Sequence, residues 1–168
     1  MGQSGISERT DGLGSEGPVP AETVGRQRAI TAFASASGAW LDNALTKLGD
    51  AIPEALPVRG PEVGLIMLRG RIGGGGSPFN LGEATVTRAS VRLSSGEVGH
   101  AIVLGRDTAK ASLAAHLDAL WQRDDWRGRI EANVVEPAIA AEAAADRVLA
   151  EETAATRVDF FTMARGED

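Results

Sequence analysis

The sequence predicts an α+β domain: a small antiparallel sheet packed with helices, plus an extended C-terminal helix-and-strand arm used for subunit contact. Three observations carry this expectation. Apolar residues recur at helical spacing from Ala21 to Leu48 and again from Leu113 to Trp121. Clean alternation over Ala84 to Leu93 is followed by a turn and a second apolar run, Val98 to Leu104. An Ala-rich stretch opened by Pro137 gives way to Arg157–Met163, a short strand-like end.

Residues 1–20 are rich in Gly, Ser, Glu and Pro without periodicity and are expected to be a disordered tail. The remainder, 21–168, reads as a single domain. Val24, Arg28, Ala32 and Phe33 fit a helix to about Ala36, and Trp40, Leu41, Ala44, Leu45 and Leu48 form the stripe of a second. Gly49 is placed to end it, and Pro53, Pro57 and Pro61 keep the following segment out of regular helix. Val63 to Arg71 reads as a strand leading into the glycine run Gly73–Gly76. In the next strand Thr85, Thr87, Ala89, Val91 and Leu93 share one face, and Val86, Arg88, Ser90 and Arg92 the other. Ser94-Ser95-Gly96-Glu97 turns the chain into an antiparallel return. Asp107 or Thr108 then caps a helix whose buried stripe is Leu113, Leu117, Leu120 and Trp121.

Arg123 to Arg129 looks charged and irregular, and Ile130 to Glu136 looks extended, so 130–168 is read as the interaction arm. Phe160 and Phe161 are neighbours and in a strand point to opposite faces, so both faces need cover. A buried Phe is worth roughly 1.5–3 kcal/mol, and a partner surface is a natural second cover. Val158, Phe160, Phe161 and Met163 are therefore the expected subunit contacts.

Composition narrows the function. The 168 residues hold 17 Lys plus Arg against 23 Asp plus Glu, a net charge of −6. That balance disfavours a nucleic-acid or anionic-membrane binder. No Cys is present, which removes disulfides, thiolate zinc, protein-held iron–sulfur clusters and cysteine nucleophiles. Met1 to Pro20 lacks the basic start and apolar stretch of an export signal. The longest apolar run, Val63 to Leu68, is a strand's length and not a membrane span. The simplest expectation is a soluble cytoplasmic protein.

The residues offer one candidate binding site. Successive amides of Gly73, Gly74, Gly75 and Gly76 can form an anion nest, with Arg69 and Arg71 just before it and Arg88 and Arg92 on the next strand. No Lys-Ser/Thr follows, so this is not a Walker loop, and the spacing is not a dinucleotide fingerprint. The plainer reading is a tight connection between two strands that no helix supports. His100 and His116 are the only histidines and lack partners at ligand spacing, so no metal site is expected; each reads as a partly buried polar residue. No Gly-x-Ser-x-Gly elbow occurs. Glu83 and Asp107 flank strand ends, where loop polarity and a helix cap explain them, and Glu142, Asp146, Glu151 and Glu152 read as a solvated face. No catalytic residue is assigned.

Three blocks in fixed order, RGRIGGGGSPFNLGEATVTRASVRL, GEVGHAIVLGRD and the closing TRVDFFTMARGED, resemble the PhnG family, the G subunit of the bacterial carbon–phosphorus lyase system. The resemblance spans roughly Arg26 to Asp168. It implies a subunit of a cytoplasmic core complex with paired G, H, I and J subunits, not active alone. With the H, I and L subunits it would support displacement of adenine from ATP by an alkylphosphonate, giving alpha-D-ribose 1-methylphosphonate 5-triphosphate. The resemblance attributes the nucleosidase-like chemistry to the I subunit and the later iron–sulfur radical cleavage to J. ATP is then a substrate of the complex, and this chain alone binds no cofactor. Relatives can carry Thr where Gly75 stands here, which weakens any hydroxyl-based role at that position. Three roles remain open: an accessory subunit docked on I, a contributor of Arg/Gly anion contacts to the triphosphate or phosphonate, or a pure assembly scaffold.

Overall fold

The computed structural model describes residues 19–49 and 51–156. Val158, Phe160, Phe161 and Met163, and the tail up to residue 18, lie outside them. Helix α1 (Ala21–Ser35) is followed by α2 (Gly38–Lys47), whose first turn is capped by Ser37, the Oγ accepting from the Trp40 amide at 3.3 Å. Gly49 closes α2 with φ +92°, a left-handed conformation that glycine adopts without penalty. Strands β1 (Ala55–Arg71), β2 (Pro78–Leu93) and β3 (Val98–Leu104) form one antiparallel sheet in the order β1-β2-β3. Then come α3 (Thr108–Trp121), α4 (Asp124–Ile130) and α5 (Glu136–Ala155). The Asp107 carboxylate caps α3 by accepting from the Lys110 amide at 2.8 Å.

The core lies between one end of the sheet and α3. Thr87, Ala89, Val91 and Leu93 are buried as the alternation of β2 requires, and Val103 joins them from β3. Val86, on the other face, is buried too. Helix α3 is buried far more widely than its leucine stripe suggests: Ala111, Ala114, Ala115 and Ala119 are also covered, and Leu113 only half. It packs against the sheet and against α1, α2 and α4, leaving only a partly exposed stripe through Ala109, Ser112, Leu113 and His116. Its alanines let the sheet come close. A Cβ on Gly99 of β3 would overlap the Ala115 carbonyl oxygen and sit 2.5 Å from the Ala119 nitrogen. Asp118 of α3 is fully buried, accepting from Arg26 Nε at 2.9 Å and Nη2 at 2.8 Å and from the His100 amide at 2.8 Å. That ion pair ties α1, α3 and β3 together, and the carboxylate holds the Arg26 guanidinium above its usual value.

Three expectations change. First, both long strands extend further: β1 starts at Ala55 and β2 at Pro78. Pro57 and Pro61 are accommodated because β1 is an edge strand with register shifts between Pro57 and Arg59 and between Arg59 and Glu62. Second, Arg123–Arg129 is not irregular. It is the short helix α4, whose Arg127 and Arg129 guanidiniums stack over Trp121 and Trp126 at 4.7 and 4.2 Å. Third, Ile130–Glu136 is not extended. Glu131–Val135 is a π-helical turn running into α5, and Ile130, Val134 and Val135 are buried in the chain's own core. The β-branched pair suggested a strand, but Ile130 and Val134 at i, i+4 are a helical stripe. The wider turn also suits Pro137, which lacks an N–H and crowds the preceding turn of a regular α-helix. Beyond Ile139, α5 is largely exposed, Glu142, Asp146, Glu151 and Glu152 among its outward residues. No helix among the described residues is long and apolar enough to cross a membrane.

Candidate functional site

The face of the sheet away from α3 carries a polar cluster assembled by a bulge. Residues three apart on a regular strand point to opposite faces, yet Arg59 and Glu62 share this one. The intervening Gly60-Pro61 falls out of register, and Gly60, at φ +74°, lies so close to β2 that a Cβ would meet the Arg88 carbonyl oxygen at 2.8 Å. The result is two cross-strand rows. Arg59, Ser90 and His100 stand opposite one another in the first, and Glu62, Arg88 and Ile102 in the second.

Glu62 Oε1 accepts from Arg88 Nε at 2.7 Å and from Arg59 Nε at 2.8 Å, which draws the two guanidiniums together. The Arg88 hydrogen bond chiefly, with the nearby positive charges, holds the Glu62 carboxyl below its usual range. Ser90 Oγ and His100 Nδ1 are 2.8 Å apart in the same cluster. His100 is exposed, not partly buried, and its backbone is fixed from behind by Asp118. Arg59, Arg88, Ser90, His100 and Ile102 line a shallow basin of about 400 Å³. One carboxylate against two guanidiniums leaves positive charge and spare N–H donors facing it, a combination suited to an oxyanion.

The other expected site residues sit elsewhere. Arg69 pairs in register with Asn80 and Arg71 with Pro78, at the far end of the β1–β2 hairpin. Gly73 takes φ +60° in the short turn Ile72–Gly74, the Gly76 amide donates to the Ile72 carbonyl at 2.9 Å, and Arg71 Nη1 donates to the Gly76 carbonyl at 3.1 Å. Arg69, Arg71, Gly73, Gly74, Gly75 and Gly76 therefore belong to one tip, where Arg71 braces the turn. Arg88 does not belong to it: between Pro78 and Arg88, β2 climbs roughly 33 Å at about 3.3 Å per residue. The sequence separation of Arg71 and Arg88 concealed this because both strands are longer than their alternation indicated. Arg59, Glu62 and Ser90 were missed as partners of Arg88 and His100. The one available signal was that Arg88 and Ser90 share a face of β2.

Glu83 stands opposite Met67 on the exposed hairpin, and Asp107 is engaged as a cap. His116 is half-buried in α3; its Nε2–H donates to the Pro53 carbonyl at 2.8 Å, and burial lowers its pKa despite that bond. Among the described residues no three His, Asp or Glu side chains cluster as metal ligands.

Comparison with known proteins gives two findings. Residues 24–166 match the family described as phosphonate metabolism protein PhnG. The chain is also 65% identical, over 119 residues, to the alpha-D-ribose 1-methylphosphonate 5-triphosphate synthase subunit PhnG of Rhizobium meliloti (strain 1021). That alignment covers 71% of this chain and 76% of the relative.

Proposed function

The chain belongs to the PhnG family of phosphonate-metabolism proteins, and from that premise we propose that it is an accessory subunit of an alpha-D-ribose 1-methylphosphonate 5-triphosphate synthase. In this reaction a phosphonate oxygen attacks the anomeric carbon of ATP; the bond from that carbon to adenine breaks, and adenine leaves with the electron pair and takes up a proton. The H, I and J subunits are the proposed partners in a cytoplasmic core, with L joining for this step. The I subunit performs the displacement, and an iron–sulfur cluster resides on J. One observation carries the accessory reading. Among the described residues Leu65, Ile66, Met67, Leu68, Ile72, Phe79 and Leu81 are all exposed on one hairpin, a contiguous apolar surface of the kind that marks a protein–protein contact. Co-expression with tagged H, I and J subunits followed by gel filtration tests it. A single large species containing this chain is expected; a chain that elutes alone beside an assembled remainder overturns the reading.

A second reading has its own support, the convergence of Arg59 and Arg88 on the open-face basin. There the chain contributes contacts to a triphosphate or phosphonate oxyanion, at the sheet face and not at the glycine tip. Arg88→Ala in the intact complex is then expected to raise the apparent KM for ATP or phosphonate, with Arg71→Ala leaving it unchanged. Unaltered kinetics for Arg88→Ala in a fully assembled complex removes this reading.

A further inference from the structure

Strand β3 pairs with β2 only over Val86–Arg92. Beyond that point β1 and β2 continue alone, with Leu65 opposite Thr85 and Arg71 opposite Pro78. A two-stranded ribbon is marginal in water, and this one carries exposed apolar side chains on both faces. Leu65 and Met67, 62% and 52% exposed, point to one face; Ile66 and Leu68, also exposed, point to the other. Leu81 and Ile72, 64% and 74% exposed, extend the apolar surface to the tip.

The edge is open as well. Among the described residues β1 is the outermost strand of the sheet, so alternate backbone N–H and C=O groups along it point away from β2 with no described strand to receive them. The usual protections of an edge are missing over Val63–Leu68: the segment holds no charge and no proline, and its one register shift falls after it, between Leu68 and Arg69. Charge enters only at the end. Arg69 and Arg71 stand against Glu83 alone, in a chain whose net charge is −6. Neither arginine is ion-paired among the described residues. A strand that is apolar on both faces, open at its edge and basic at its tip describes the shape and chemistry of what covers it.

Resting on the reading of the chain as an assembly subunit, we infer that β1 is a docking strand. A β-strand of another subunit pairs along the Val63–Leu68 edge, apolar side chains of that subunit close over both faces, and its carboxylates meet Arg69 and Arg71. The interaction is strand addition, in which main-chain hydrogen bonds supply affinity and flanking pockets supply specificity.

The test uses the full chain co-expressed with the H, I and J subunits. Leu65→Asp with Met67→Asp, and separately Ile66→Asp with Leu68→Asp, are each expected to weaken assembly about tenfold or more, the factor carried by 1.4 kcal/mol. Arg69→Glu with Arg71→Glu is expected to weaken it less, and its deficit to shrink at high salt as charge is screened. Because the substituted leucine, isoleucine and methionine side chains are exposed, far-UV circular dichroism and thermal midpoint of the isolated aspartate variants should match the parent. Hydrogen exchange gives a readout that misfolding does not imitate: the Val63–Leu68 amides that point away from β2 should slow about tenfold or more on assembly of the unsubstituted chain. Aspartate variants that assemble like the parent overturn the inference, as do outward-facing Val63–Leu68 amides already protected in the isolated chain, since its own segment 157–168 would then be the cover. If the unsubstituted chain fails to join H, I and J at all, the subunit reading itself has failed, an outcome distinct from either of these.

Discussion

The two halves of β2 show what separates a core from an interface. From Thr87 to Leu93 the strand alternates buried and outward residues, because β3 lies on one side, β1 on the other and α3 across one face. From Pro78 to Glu83 every residue is exposed, although Phe79 and Leu81 are as apolar as anything in the covered half. Hydropathy does not distinguish them. A third strand and a helix do, and where these stop, the apolar surface stays exposed among the described residues.

The sharpest way to break this contrast is to damage the covered half. Gly99→Ala places a methyl group inside the α3 backbone, where neither the Ala115 carbonyl nor the Ala119 amide can yield. A loss of about 3 kcal/mol or more is expected, the upper range for overpacking, read as a lowered denaturation midpoint of the isolated chain. A smaller effect is expected from pH. Burial depresses the His116 pKa, so the folded state resists protonation that the unfolded state accepts near the ordinary imidazole value of about 6.5. Stability should therefore be full above that value and fall as pH drops below it. His116→Gln, which keeps a donor for the Pro53 carbonyl, should flatten that dependence in thermal midpoints recorded from neutral to mildly acidic pH. The smallest effect belongs to the uncovered half. Leu81→Ser is expected to change the stability of the isolated chain by less than about 0.5 kcal/mol, as for an exposed site. A cost of several kcal/mol would mean that the hairpin is packed against its own chain.

Legibility followed local physics. The alternation of β2, the turn before β3, the Asp107 cap and the glycine end of α2 were readable because each is decided within a few residues. Ile130–Glu136 was misread because β-branched residues favour strands locally, whereas burial of Ile130, Val134 and Val135 against neighbouring helices decides for a helical turn. In the polar cluster, Arg88 and Ser90 were visibly on one face. Their junction with Arg59 and Glu62 depends on a bulge that breaks the very periodicity used to read strands.

By itself the sequence determined the class of fold, the order of most elements and the family, because composition, caps, periodicity and motif order are properties of the chain. Only the tertiary structure decided that Arg88 belongs with Arg59, Glu62, Ser90 and His100 and not with the glycine tip, and that Val63–Leu68 is an edge left uncovered by the described residues. Both depend on where β3 ends beside β2 and how far the hairpin runs past it. Strand length and register are settled by pairing across the sheet, and no single segment carries that information.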